Sequence, residues 1–221
     1  MPPPNTVLRS PIGLARATNV LLGAAAATAV LALYAGVVRH RITGDLFAHS
    51  AAEINRSDDL YQLAGTLQLS AAAATAIVFI IWFHRVRSNA DVFAQDACTM
   101  GRGWAIGGWC IPLGNLWIPF TIAREVWTAS TQRAPDGSWR EVSTRPIKSW
   151  WVTWVAALVI LRIGTTMEDH AGSAEEFQRA TDVLLAGDAL MLAAALLAIR
   201  FVHRLTTMQH TKAVQGPLAV V

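Results

Sequence analysis

Asp188 is the residue whose type and place most invite chemistry. It interrupts an apolar run, Thr181–Val202, six residues past Asp182 and so about 9 Å in at the rise of a helix. An ionised carboxylate at such depth costs a few kcal/mol unless it is paired or wet. Arg162, near the end of a second apolar run, Ile147–Ile163, is the expected partner, in an ion pair that ties two helices together. A proton or cation relay through Asp188 is the alternative chemistry. Two more polar residues, Asn115 and Arg124, fall in or just after an apolar segment with charged flanks, where a partner or a lipid-like substrate could meet them.

The histidines come in two pairs. His49 stands near Asp45 and Glu53, and His170 near Glu168, Asp169 and Glu175. Imidazole with carboxylate is a donor set for a divalent metal. No H-x-x-x-H or H-E-x-x-H spacing supports it, so only the fold could assemble the site, and solvated loop residues are the default. His84 and His203 each precede an arginine at the end of an apolar run, a position that suits a half-polar ring at a membrane interface. Bis-imidazole haem ligation is the sharper alternative for that pair. No metal or haem is predicted as a resident cofactor.

No nucleophile elbow, P-loop or dinucleotide glycine pattern is present, and Gly107-Gly108 runs into tryptophan and proline where a phosphate cradle needs free amides. Cys98 and Cys110 lack C-x-x-C spacing and read as ordinary thiols. The 18 basic residues are scattered between apolar runs instead of forming a stripe, so nucleic acid is not an expected partner. Three classes of function survive. A non-enzymatic membrane partner or scaffold subunit is favoured by the lack of a catalytic constellation. A small transporter or ion-conducting protein would use Asp188. A membrane-embedded enzyme would need the metal or haem, or a lipid-like substrate entering beside Trp109, Asn115 and Arg124.

The elements that position these residues are set by lipid. The chain is 53% hydrophobic and 15% charged, against about 25% charged in soluble domains. Crossing roughly 30 Å of hydrocarbon takes about 20 mostly apolar residues, and four stretches qualify: 17–38, 60–83, 147–163 and 181–202. The first is too long for a signal-peptide core and has no clear cleavage box. With the N-terminus inside, thirteen Lys and Arg fall on the cytoplasmic side. Five fall outside (Arg39, Arg41, Arg56, Arg162 and Arg179), along with most of the acids. The positive-inside rule then places both termini in the cytoplasm, across a bacterial inner membrane. Arg39 and Arg41 stand against that count. Residues 1–16 are expected to be a flexible cytoplasmic end and 203–221 a cytoplasmic tail. Pro135-Asp136-Gly137 marks a turn suited to docking a cytoplasmic protein.

One apolar stretch breaks the pattern. Gly103–Phe120, GWAIGGWCIPLGNLWIPF, has arginines on both sides that belong to the same face. Residues 103–128 are therefore expected to form a re-entrant or interfacial helical hairpin, turning at Pro112-Leu113-Gly114-Asn115. Its freed backbone must lie against other helices or a wet cavity. Eight of the nine tryptophans lie between Trp104 and Trp154, Trp139 among them, which suits an aromatic belt at the cytoplasmic interface.

Arg87-Ser88-Asn89-Ala90, then Gly103-Trp104-Ala105-Ile106-Gly107-Gly108-Trp109, Ile111-Pro112, Asn115-Leu116-Trp117 and Pro119 together resemble the signature of an actinobacterial membrane-protein family, domain of unknown function 4328. The likeness runs from the second apolar run through the fourth, including Arg204-Leu205-Thr206. It implies a membrane location and leaves activity open. A second pattern reads either as an internal repeat or as a chance alignment of alanine-rich helices. Arg41-Ile42 and His49 match Arg162-Ile163 and His170, Leu63-Ala64-Gly65 matches Leu185-Ala186-Gly187, and His84-Arg85 matches His203-Arg204. Parallel repeats of this kind build some transporters.

The expected fold is an all-α membrane protein of four transmembrane helices in a single domain, with the re-entrant or interfacial hairpin on the cytoplasmic side. Small-residue faces (Gly23–Ala27, Ala71–Ala74, Ala193–Ala195) are expected to bring the helices together. The expected partners are the lipid bilayer and a membrane or cytoplasmic protein, or a second copy of the chain.

Overall fold

The computed structural model describes residues 7–45, 48–138 and 140–217. Among them the chain is helical and forms no strand. The α-helices are α1 (Ile12–Gly44), α2 (Ala51–Phe93), α3 (Trp104–Gly107), α4 (Ile118–Ser130), α5 (Arg145–Asp169) and α6 (Ala174–Gln215), with short 3-10 turns at Gln95–Ala97 and Gly114–Leu116. Four of them, α1, α2, α5 and α6, are long and apolar enough to cross a membrane, and the protein is an integral multi-pass membrane protein.

These helices outrun their apolar stretches. The 43 residues of α2 make a rod of about 64 Å, roughly twice the thickness of a bilayer's hydrocarbon. Local chemistry fixes the starts. At α2, the Glu53 carboxylate accepts the Ser50 N–H (2.8 Å) and hydroxyl (2.9 Å), while Ser50 Oγ accepts the Glu53 N–H (3.3 Å), a reciprocal capping box. At α6, Ser173 Oγ accepts the Glu176 N–H (3.2 Å), and the Glu176 carboxylate accepts the Gly172 N–H (2.8 Å). At the other end α6 runs on from the apolar stretch 181–202 to Gln215.

The chain packs as two compact units. The first comprises Met1–Val20, Ala76–Ser149 and Ile199–Val221, the second Leu21–Thr75 and Trp150–Ala198. In the second unit, Ala32, Ala35 and Ala64 form a core flanked by Leu31, Leu60 and Tyr61. Two glycines set the approach of α5 to α6. A Cβ on Gly164 would lie 2.8 Å from Leu184 Cδ2, and one on Gly187 would lie 2.6 Å from Leu161 Cδ2. Leu161-x-x-Gly164 and Leu184-x-x-Gly187 thus interlock reciprocally, the small-residue packing by which helices associate in lipid. Gly65, which aligns with Gly187 in sequence, meets nothing within 4 Å.

In the first unit α4 supplies an apolar face of Ile118, Ile122, Ala123, Val126 and Trp127. Phe201 stacks on Trp127 (centroids 6.1 Å apart) and meets Trp82 edge-on (5.8 Å). Arg87, Asn89, Ser130, Gln209 and Lys212 are buried with them.

Candidate functional site

Asp188 is 5% exposed, and its partner is Gln68 of α2, whose Nε2 donates to Oδ1 at 2.9 Å. The ion pair expected from Arg162 does not form. Leu161 and Gly164 turn the face of α5 toward α6, which leaves Arg162, one residue round the helix, exposed. A neutral amide solvates the carboxylate in place of a cation.

The second unit holds a charged cluster that the sequence did not single out. Arg39 of α1 pairs with Asp58 (3.2 Å) and Glu168 (2.5 Å). Its guanidinium also lies 4.4 Å from the centroid of Tyr61 and 4.4 Å from that of Phe177. Side chains of α1, α2, α5 and α6 therefore converge on one arginine that is 14% exposed. Arg39 counted against the orientation in sequence, and the structure gives its charge two carboxylates and two ring faces. Nothing in the local sequence marks it, because its partners come from three other helices.

In the first unit, segment 103–128 folds as α3, a sharp turn and α4. The turn is tighter than a β-turn: Pro112 O accepts the Gly114 N–H at 2.7 Å around Leu113, which has φ +63° and ψ −42°. A γ-turn with positive φ is rare and strained, the more so at a bulky residue. Leu113 is 70% exposed, so the strain holds a leucine outward. Gly114 is required beneath it, since a Cβ would meet Ile111 Cγ2 at 2.9 Å. Trp104, Ile106, Ile111, Leu116 and Trp117 are exposed with Leu113. Trp109 docks the segment edge-on to Phe79 (5.8 Å) and Phe83 (6.1 Å), at the end of the apolar stretch 60–83. Asn115, half-buried, closes the turn by donating its N–H to Ile111 O (2.9 Å).

Buried polar groups anchor this segment. Asp91 accepts from Arg87 and from Arg102, and Arg87 also donates to Met100 O. Burial alone would raise the Asp91 carboxyl, but the hydrogen bonds from Arg102 and Arg87 outweigh it and hold the group below its usual range. Gln209 Nε2 donates to Val86 O and Ser130 Oγ, while Asn89 Nδ2 donates to Gln209 Oε1 and Arg9 O. Residue 9, within the expected flexible end, is thus bonded to α2. Lys212 Nζ donates to Ala129 O (2.7 Å) and Thr131 O (2.8 Å), satisfying carbonyls at the C-terminus of α4. Arg124 is exposed on α4 and lines a cleft of about 510 Å³ with Asp96, Thr121, Glu125, Thr128 and Thr144.

The histidine pairs do not become ligand sets. His49 Nδ1 lies 3.9 Å from Glu53 Oε2, a carboxylate oxygen already committed to the cap of α2. His170 Nδ1 lies 2.7 Å from the Thr166 carbonyl oxygen of its own helix. Among the described residues no group of three or more His, Cys, Asp or Glu side chains is placed to hold a metal ion. His84 is half-buried, and the charges of Arg102, Arg85 and Arg87 act on its ring. His203 is exposed on α6. Trp139 of the expected aromatic belt lies outside the described residues.

The profile of a family described as Domain of unknown function (DUF4328) matches residues 46–207, from the start of α2 to near the end of α6 and without α1. No curated protein and no solved structure matches.

Proposed function

The chain belongs to the DUF4328 family, and from that footing we propose that it is a non-enzymatic membrane partner or scaffold subunit whose 103–128 hairpin is lodged at the cytoplasmic face of a bacterial inner membrane. One observation carries this reading: six large apolar side chains of residues 104–117 point outward from a segment docked on Phe79 and Phe83. Exposed large apolar side chains gathered on one short segment point to a membrane or protein contact. The unit that bears it holds thirteen Lys and Arg against five Asp and Glu, the balance of a cytoplasmic face. The buried polar anchors hold the hairpin as a fixed surface.

Cys110, exposed in the hairpin, gives the test. A photocrosslinker attached there in native membranes is expected to capture one defined protein, a second copy of the chain included. Adducts to lipid alone would remove the partner role.

A second reading, a small proton- or cation-linked transporter, is favoured by Asp188, a buried carboxylate that accepts from the neutral Gln68 amide. Loss of proton-linked flux from liposomes on Asp188→Asn would support it, and unchanged flux would remove its main argument.

A further inference from the structure

We propose that the hairpin and its cationic rim form a binding surface for anionic phospholipid headgroups. The inference rests on the reading of the hairpin as lodged in the bilayer, and it names the lipid the surface selects.

The rim begins at Arg102, two residues before Trp104, and continues at Arg124, seven residues past Trp117. Arg85 lies on the adjacent stretch of α2, two residues past Phe83, on whose ring Trp109 of the hairpin docks edge-on. Of the acids on this side, Asp91 is committed to Arg87 and Arg102, while Asp96 and Glu125 line the Arg124 cleft and Glu125 accepts from the Thr99 hydroxyl. Among the described residues Arg85 and Arg124 have no carboxylate within 4 Å. The second unit is built differently: Arg39 has two carboxylates and Arg179 has Glu175, and its five basic residues face ten acids.

Exposed tryptophans on a unit with an excess of arginine match the two parts of an anionic lipid. Indole rings settle at headgroup depth, and a guanidinium fork binds phosphate through paired N–H donors. Leu113, held outward by its γ-turn, and its apolar neighbours set the depth at which Arg85 and Arg124 meet phosphate. Each cation near an anionic leaflet strengthens binding about fivefold, and salt screens the effect.

The full chain is reconstituted in phosphatidylcholine bilayers, and brominated phosphatidylglycerol or brominated phosphatidylcholine is titrated in. Bromine quenches nearby indoles, so the quenching lost in a Trp104→Phe/Trp117→Phe variant reports lipid at the hairpin. Phosphatidylglycerol is expected to quench at least fivefold more effectively than phosphatidylcholine. High salt and an Arg85→Gln/Arg124→Gln variant that keeps the wild-type thermal midpoint are expected to bring the ratio toward one. Equal quenching by the two lipids in wild type would overturn the selectivity and leave the hairpin in the bilayer. No quenching of Trp104 or Trp117 by either lipid would overturn the placement itself. Displacement of phosphatidylglycerol by millimolar inorganic phosphate would assign the rim to a soluble anion and overturn the lipid assignment.

Discussion

Arg39 of α1 and Glu168 of α5 meet at 2.5 Å, 129 residues apart in sequence, with Tyr61 and Phe177 closing over the guanidinium. The geometry makes Arg39 a junction of four helices. Arg39→Gln leaves Glu168 without its cation and removes both ring contacts. The expected cost is about 2 kcal/mol, below the range for fully buried pairs because Asp58 is half-exposed. Arg39→Lys is expected to recover part of that loss, since it restores charge without the planar fork. Thermal unfolding in detergent checks both.

The two Leu-x-x-Gly patterns of α5 and α6 predict that matched glycine substitutions have opposite effects. Gly164→Ala drives a methyl against Leu184 Cδ2 and Cγ at 2.8 Å, with the Leu184 backbone nitrogen 3.2 Å behind them. It should destabilise by about 1–3 kcal/mol. Gly65→Ala meets nothing within 4 Å and should be neutral or gain about 0.5–1 kcal/mol from helix propensity. Thermal midpoints of the two variants in the same detergent decide it.

Asp91 is expected to control the order of the hairpin through pH. Its carboxyl is held below the ordinary 3.8, so its contribution is present above that value and is lost as pH falls through the lower folded value. Amide-exchange protection at residues 100–117, corrected for intrinsic rate, should stay flat from neutral pH to about 4 and fall below it. Asp91→Asn should show the low-pH pattern at neutral pH, because Arg87 is then buried without a counter-ion.

The two cysteines should label differently. Burial pushes the Cys98 thiol up to about 11, so a water-soluble maleimide should react slowly there at neutral pH and about tenfold faster for each unit of rising pH. Cys110 is exposed on the hairpin. In detergent it should label first. In bilayers it should be shielded from the water-soluble reagent and accessible to a lipid-soluble one. Equal labelling of Cys110 by both reagents in bilayers would place the hairpin in water.

The polar anchors were only partly legible in sequence. The i,i+4 spacing of Arg87 and Asp91 is visible to any reader of a helix, and Asn89 lies in the Arg-Ser-Asn-Ala run that carries the family resemblance. Gln209 and Lys212 gave no signal, because they fall past the apolar stretch where the charge pattern suggested a tail. The turn at Pro112–Asn115 could be read from its residue types, whereas its contraction to a γ-turn at Leu113 required the packing of Gly114 against Ile111 and Ile118.

By itself the sequence determined the four long apolar helices, the odd apolar segment between them and the uneven distribution of charge. Lipid imposes length and composition residue by residue, so those features need no knowledge of neighbours. Tertiary structure decided which polar groups meet. Asp188 takes Gln68 and not Arg162 because the Leu-Gly interlock fixes the rotation of α5 against α6, and Arg39 is neutralised because three other helices bring it acids and rings. Partner choice among buried charges depends on helix rotation and register, which local periodicity leaves free and side-chain packing sets.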